Sequence, residues 1–173
     1  TLYNVRYLNS KIIIVGANGT LLTSDDATTW TSVNTSTTSY LQDIFYRNNE
    51  YIAVGGNEGS GGSIIITSSN LSSWTKIVTV ATRELTGIIF FDQRYQVVAG
   101  GGSTVTGQSI GNSTDGASWA FTGTSFSQNK ALYSLATDSS NEYAVGVDGL
   151  MIKSNDYFNW STVSTGSSSD FRD

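Results

Sequence analysis

One heptad is written four times in this chain, and it limits the possible folds more than any other feature. Ser24-Asp25-Asp26-Ala27-Thr28-Thr29-Trp30 returns as SSNLSSW (68–74), STDGASW (113–119) and SNDYFNW (154–160). The first position is Ser24, Ser68, Ser113 or Ser154, the third Asp26, Asn70, Asp115 or Asp156, and the seventh Trp30, Trp74, Trp119 or Trp160. Every tryptophan of the 173 residues sits at the seventh position, and the separations are 44, 45 and 41 residues. That period belongs to supersecondary units stacked in a repeat architecture.

Aligned on the tryptophans, each unit reads alike. An apolar-alternating run comes first (2–8, 41–46, 85–91, 132–137), then a polar turn such as Asn48-Asn49-Glu50 or Ser139-Ser140-Asn141-Glu142. A β-branched run closing on glycine follows (12–16, 51–55, 95–100, 143–146), and a Gly-rich turn leads to a third run (20–23, 63–67, 109–112, 150–153). The heptad then turns the chain into a fourth, Thr-rich run that begins at each Trp. Runs of this length bounded by Gly, Asn, Asp and Ser are strands. Four strands per unit of this period make the blade of a β-propeller, an all-β repeat fold with four blades of four antiparallel strands visible here. The expected blades are 2–40, 41–84, 85–131 and 132–169. Residues 170–173 line up with 40–43, as the start of a fifth unit. Asn18-Gly19 and Asp148-Gly149 fall between second and third strands, where a two-residue hairpin needs positive φ at both central positions. Propellers close with roughly four to eight blades, so the chain is either a four-bladed ring whose tail helps shut it, part of a larger ring, or one of two copies that complete one another, and a larger or oligomer-completed ring is the expectation.

The heptad itself has a structural reading. A short Asp or Asn side chain accepts hydrogen bonds from backbone N–H groups two residues on, and Ser does so more weakly. Identical roles in four copies point to folding of the corner, with the indole capping the blade.

Composition removes several function classes. There is no His and no Cys, so Ser-His-Asp and Cys-His nucleophiles, disulfides and His- or Cys-ligated zinc are excluded. No Gly-Lys pair exists to build a phosphate loop. A net charge of −5 argues against nucleic acid, and no apolar run approaches the roughly 20 residues that span a bilayer. No cofactor and no metal are implied.

The four heptads resemble the Asp-box of bacterial neuraminidase-type (BNR) repeats. They are similar to the S-x-D-G-x-x-W variety of sialidases, photosystem II assembly factors and bacterial or phage surface propellers. The chain departs from the common pattern by one residue fewer between Asp and Trp, by Asn70 in place of Asp, and by having glycine after the acid only at Gly116. The resemblance implies a propeller and invites comparison with a glycosidase. A sialidase-like site would need three convergent arginines, a Tyr–Glu nucleophile pair and an Asp acid–base group. Arg6, Arg47, Arg83, Arg94 and Arg172 share no equivalent position, and the Arg-Ile-Pro signature cannot occur in a chain without proline. The expected activity is therefore non-catalytic.

Loops that join second to third strands, and one blade to the next, gather on one propeller face. That face is expected to offer Asn57, Glu58, Arg83, Glu84, Thr104, Gln108, Phe126, Gln128, Asn129 and Lys130, a mixture that suits a glycan or a protein surface. Low charge and 48 Ser and Thr residues fit an extracellular or surface-displayed recognition module. The alternative is a protein-binding propeller of the photosystem-assembly type.

Overall fold

The computed structural model describes residues 1–56, 62–78, 83–100, 110–122 and 130–172. Its regular structure is four antiparallel sheets of four strands, with no α-helix among the described residues. Blade 1 is β1 (Leu2–Leu8), β2 (Lys11–Gly16), β3 (Leu21–Ser24) and β4 (Thr31–Ser32). Blade 2 is β5 (Tyr40–Arg47), β6 (Glu50–Gly56), β7 (Ser63–Ser68) and β8 (Thr75–Val78). Blade 3 is β9 (Leu85–Phe91), β10 (Arg94–Ala99), β11 (Ile110–Ser113) and β12 (Ala120–Thr122). Blade 4 is β13 (Leu132–Thr137), β14 (Glu142–Gly146), β15 (Met151–Ser154) and β16 (Ser161–Val163). Strands stand in chain order in every sheet, so each is an up-and-down meander. The fourth strands begin just after each Trp, not at it, because the Trp still belongs to the corner.

The hairpins follow the turn chemistry. Asn18 (φ 56°) and Gly19 (φ 66°) are both left-handed, as are Asp148 (φ 54°) and Gly149 (φ 68°). At Gly19 a second constraint applies, because a Cβ would lie 1.9 Å from the Thr37 carbonyl oxygen. The Gly19 N–H donates to Ser39 O at 2.7 Å, and the Thr35 hydroxyl donates to Gly19 O at 2.8 Å, which locks the turn to the connection leaving the blade. The same arrangement recurs in blade 4, where Thr165 Oγ1 donates to Gly149 O at 3.0 Å and the Phe171 N–H to Gly146 O at 2.9 Å. Residues 165–172 thus run along blade 4 as 35–42 run along blade 1.

The core lies between blades. Each sheet has a leading face toward the preceding blade and a trailing face toward the next. Ile13, Val15 and Leu21 on the trailing face of blade 1 pack on Leu41, Ile44, Ala53 and Ile64 of blade 2. Ile52, Val54 and Ile65 of blade 2 meet Leu85, Ile88, Val97 and Phe121 of blade 3. Val98 and Ile110 of blade 3 meet Leu132, Ala144, Ile152 and Trp160 of blade 4. Burying these branched side chains stabilises each interface by about 1.5 to 3 kcal/mol per side chain. The innermost strands contact one another in the order β1, β5, β9, β13, with no comparable contact between β13 and β1. The blades therefore form an arc around a common hub.

Candidate functional site: the hub groove

Every innermost strand carries a β-bulge at the same place. Leu2 and Asn4 pair with Gly16 and Val15, which leaves Tyr3 as the extra residue. Gln42 in β5, Thr86 in β9 and Tyr133 in β13 are extra in the same way. A bulge re-aims a side chain that the pleat would send elsewhere. Here four bulges bring Tyr3, Gln42, Thr86 and Tyr133 to one groove of about 220 Å³, shared with Asn4, Arg6, Asp43, Gly87, Ser134 and Arg172.

Each extra residue also reaches the start of the next unit. Tyr3 stands edge-on to Tyr40, with ring centroids 6.1 Å apart. Gln42 donates through Nε2 to Glu84 Oε1. The Thr86 hydroxyl donates to Leu132 O at 2.7 Å, and the Arg172 guanidinium stacks 4.6 Å from the Tyr133 ring centre. In blades 1 to 3 the same position thus lines the groove and reaches toward the next blade, and in blade 4 Tyr133 meets the segment that follows the last strand.

Asp43 is the charged centre of the site and is 2% exposed. Its Oδ1 accepts from Asn4 Nδ2 (2.9 Å), Arg6 Nε (2.9 Å) and the Ile44 N–H (2.8 Å). Its Oδ2 accepts from Arg6 Nη2 (2.8 Å) and the Ile88 N–H (3.1 Å). One carboxylate therefore ties blades 1, 2 and 3. Burial pushes its pKa up from the ordinary value, while the forked Arg6 pair and the two backbone donors oppose that.

Of the residues expected on the loop face, Glu84 adjoins this groove through Gln42. Lys130 pairs with Asp148 at 3.4 Å beside the β14–β15 turn. Arg83 is enclosed at 3% exposure, with its carbonyl accepting from Ser63 Oγ, so its side chain is not offered to a ligand. Asn57, Glu58, Thr104, Gln108, Phe126, Gln128 and Asn129 lie outside the described residues. The arginines divide: Arg6 and Arg172 line the groove, whereas Arg47 lies over Phe90 at 3.8 Å and Arg94 donates to Asn112 Oδ1 at 3.3 Å.

The heptads occupy the opposite end of the blades. Ser24 is level with Ile12, which pairs with Tyr7, whereas the groove is at Leu2 to Asn4. In blade 1 Ser24 Oγ accepts from the Ala27 N–H at 2.9 Å, and Asp26 Oδ1 from the N–H groups of Thr28 (2.8 Å) and Thr29 (2.7 Å). Asn70 accepts from Ser72 and Ser73, Asp115 from Ala117 and Ser118, and Asp156 from Phe158 and Asn159. The residue after the acid is left-handed in all four, at Ala27, Leu71, Gly116 and Tyr157. The backbone donors of Thr29 and Thr28 hold Asp26 well below the usual carboxylate range, and those of Ser118 and Ala117 hold Asp115 at about 2. At Asp156, held at about 2, the Asn159 side chain and N–H lead. Trp74, Trp119 and Trp160 donate through Nε1 to the carbonyl of that left-handed residue, at 3.3, 2.9 and 3.2 Å.

Solved structures share this architecture. YCF48 from Cyanidioschyzon merolae matches with a TM-score of 0.62 at 17% identity, over 98% of this chain and 58% of that one. YCF48 bound to D1 peptide matches with a TM-score of 0.60 at 18% identity, over 89% of this chain and 49% of that one. An α-L-arabinofuranosidase from Clostridium thermocellum matches with a TM-score of 0.56 at 14% identity, over 92% of this chain and 70% of that one. The chain spans between about half and three-fifths of the length of the two YCF48 structures. At such identities the likeness establishes the fold, a β-propeller arc. No family model matches the sequence, and no curated protein does.

Proposed function

We propose that the chain is a non-catalytic recognition module that grips an extended segment of a partner protein in the hub groove. The observation that carries this reading is the convergence of four bulges on one polar groove. Its lining combines phenol, amide, hydroxyl and guanidinium groups, which hydrogen-bond a peptide backbone and clasp side chains between rings. The peptide-bound YCF48 structure, similar in fold, supports a protein ligand. The heptads are then Asp-box corners that hold the blades, remote from the ligand.

A carbohydrate is the second reading, favoured by Tyr3 and Tyr133 among neutral hydrogen-bonding groups and by the arabinofuranosidase neighbour. Two features support a non-catalytic role. Asp43 is saturated by five donors, and Glu84 is engaged with Gln42, so neither is placed as a free acid or base. Display at a cell or virion surface fits the low content of charged residues, 13%, and labelling of intact cells by antibody checks it.

The function test is a peptide and glycan array probed with the chain and with the Tyr3→Ala, Tyr133→Ala double variant. Peptide binding weakened about tenfold or more in the variant, roughly 1.4 kcal/mol, is the expected result. Binding unchanged in the variant removes the groove as the site, binding to glycans alone establishes the second reading, and turnover of an aryl glycoside ends the non-catalytic one.

A further inference from the structure

The residue after each bulge stands at one level of the hub. Asn4, Asp43, Gly87 and Ser134 pair with Val15, Val54, Val98 and Val145, so they are equivalent positions of the four innermost strands. In blades 1 and 2 this side chain bridges forward to the next blade. Asn4 Nδ2 donates to Asp43 Oδ1 at 2.9 Å, and Asp43 Oδ2 accepts from the Ile88 N–H of blade 3 at 3.1 Å. Gly87 has no side chain to send to blade 4, and the gap it leaves opens on the groove.

The donor that such a side chain would meet is in place. Leu135 is the blade 4 equivalent of Ile88, each one residue beyond this level and paired with Ala144 and Val97 respectively. The Asp138 N–H donates to Asn141 O at 3.0 Å, and counting back by twos makes Ala136 and Ser134 the hydrogen-bonded positions of β13. The Leu135 N–H therefore points away from β14. A Cβ built on Gly87 would stand 3.8 Å from that nitrogen, and no side chain accepts from it among the described residues. The neighbouring Ser134 hydroxyl, which also lines the groove, makes no hydrogen bond among the described residues. The lining carries two guanidinium groups, Arg6 and Arg172, against the one carboxylate of Asp43, in a chain of net charge −5. Arg172 also pairs with Asp170 at 3.1 Å, a contact open to water and so a weak competitor.

We propose that the gap over Gly87 is a carboxylate subsite: an acidic group of the bound segment lies on the Leu135 N–H, as Asp43 lies on the Ile88 N–H one seam earlier. This rests on the reading of the hub groove as the site for an extended segment, and it adds which segment is chosen. A carboxylate outcompetes a neutral amide there because charge-assisted hydrogen bonds are roughly twice as strong as neutral ones. An Asp or Glu side chain and a free C-terminus share that chemistry.

Proton–nitrogen NMR of the chain is the test, with three peptides as probes: acetyl-Gly-Gly-Asp-Gly-Gly-amide, its Asn counterpart, and acetyl-pentaglycine with a free carboxylate. A saturable downfield shift of the Leu135 amide is expected with a carboxylate peptide, and about tenfold weaker binding of the Asn peptide. Whether the Asp peptide or the free C-terminus binds more tightly identifies the source of the carboxylate. Gly87→Asp supplies the group from within the chain. Gly87 is not left-handed and the nearest atom to its Cβ would be 3.5 Å away, so the variant folds. In it the Leu135 amide should be shifted at the outset and its response to the acidic peptides lost. A Leu135 amide that stays still, or moves alike with the Asp and Asn peptides, overturns the subsite, as does undiminished binding of the acidic peptides by Gly87→Asp. If the amides of Tyr3 and Tyr133 respond while that of Leu135 does not, the groove remains the binding site and only the subsite falls.

Discussion

Glu142 and Gln96 face one another across the seam between blades 3 and 4, both fully buried, with Gln96 Nε2 3.5 Å from Glu142 Oε1. Gln96 Oε1 and Glu142 Oε2 are left without a hydrogen bond among the described residues. A proton on Glu142 Oε2 resolves this, because the neutral acid can donate to Gln96 Oε1 and close an acid–amide pair. Burial, and then the charge of Asp156, push Glu142 up to about 8 from an ordinary 4.5. The folded state therefore holds this proton more tightly than the unfolded chain. The resulting stability is complete below about pH 4.5 and is lost as pH rises through about 8. The heptad acids Asp115 and Asp156 have the opposite sign, held at about 2 against an ordinary 3.8. Their contribution is present above about pH 4 and is lost as pH falls toward 2. Thermal melting across pH should show both limbs. In Glu142→Gln the alkaline limb should flatten while the acid limb stays, and an unchanged alkaline limb would show that Glu142 is ionised in the fold. Among the indoles, Trp160→Ala should destabilise by about 3 to 5 kcal/mol, and Trp30→Ala by clearly less, because only Trp160 is enclosed. Urea unfolding measures both, and equal losses would contradict the packing described.

At the scale of strands and turns, how much could be read in advance depended on which period the residues obey. Strand positions followed from alternation and turn residues, so β1, β9 and β13 match their expected runs and β5 extends its run by one residue at each end. The Asn18-Gly19 turn was readable because only a few residues tolerate two left-handed positions in succession. The bulges broke the same rule and were missed, although they left a trace. Leu2 and Val5, Leu41 and Ile44, Leu85 and Ile88, and Leu132 and Leu135 are three apart, and strict alternation sends such pairs to opposite faces. Only an extra residue between them puts both on the leading face. The groove residues Tyr3, Gln42, Thr86 and Tyr133 are those extra residues, so the site was hidden where the period slips. Contacts such as Asp43 with Arg6 and Ile88 join residues far apart in the chain, and no local pattern announces them. Gly19→Ala tests the turn directly. The new methyl would meet the Thr37 carbonyl and hold a left-handed φ, so a loss of at least about 1 kcal/mol in urea unfolding is expected. A neutral change would mean that the turn and the connection are not locked together.

Taken as one body, the chain places two kinds of chemistry at opposite ends of its blades. The heptad corners stand at the Tyr7 level and fix each sheet, while the bulges stand at the Leu2 level and build the groove. Separating them lets the groove residues vary from unit to unit (Tyr, Gln, Thr, Tyr) over corners that keep Ser, Asp or Asn, and Trp. The four innermost strands share one groove, whereas the corners join third to fourth strands, so blades set about one hub place the groove residues nearer to one another than the corners. Because the chain has no cysteine, pairs of engineered cysteines can be spin-labelled cleanly and diluted into unlabelled protein for pulsed distance measurement. Labels replacing Tyr3 and Tyr133 should give a narrow distribution at a shorter distance than labels replacing Asp25 and Asn155 in the first and fourth corners. A corner pair as close as the groove pair, or a broad spread for the groove pair, would contradict the arrangement of four blades about one hub.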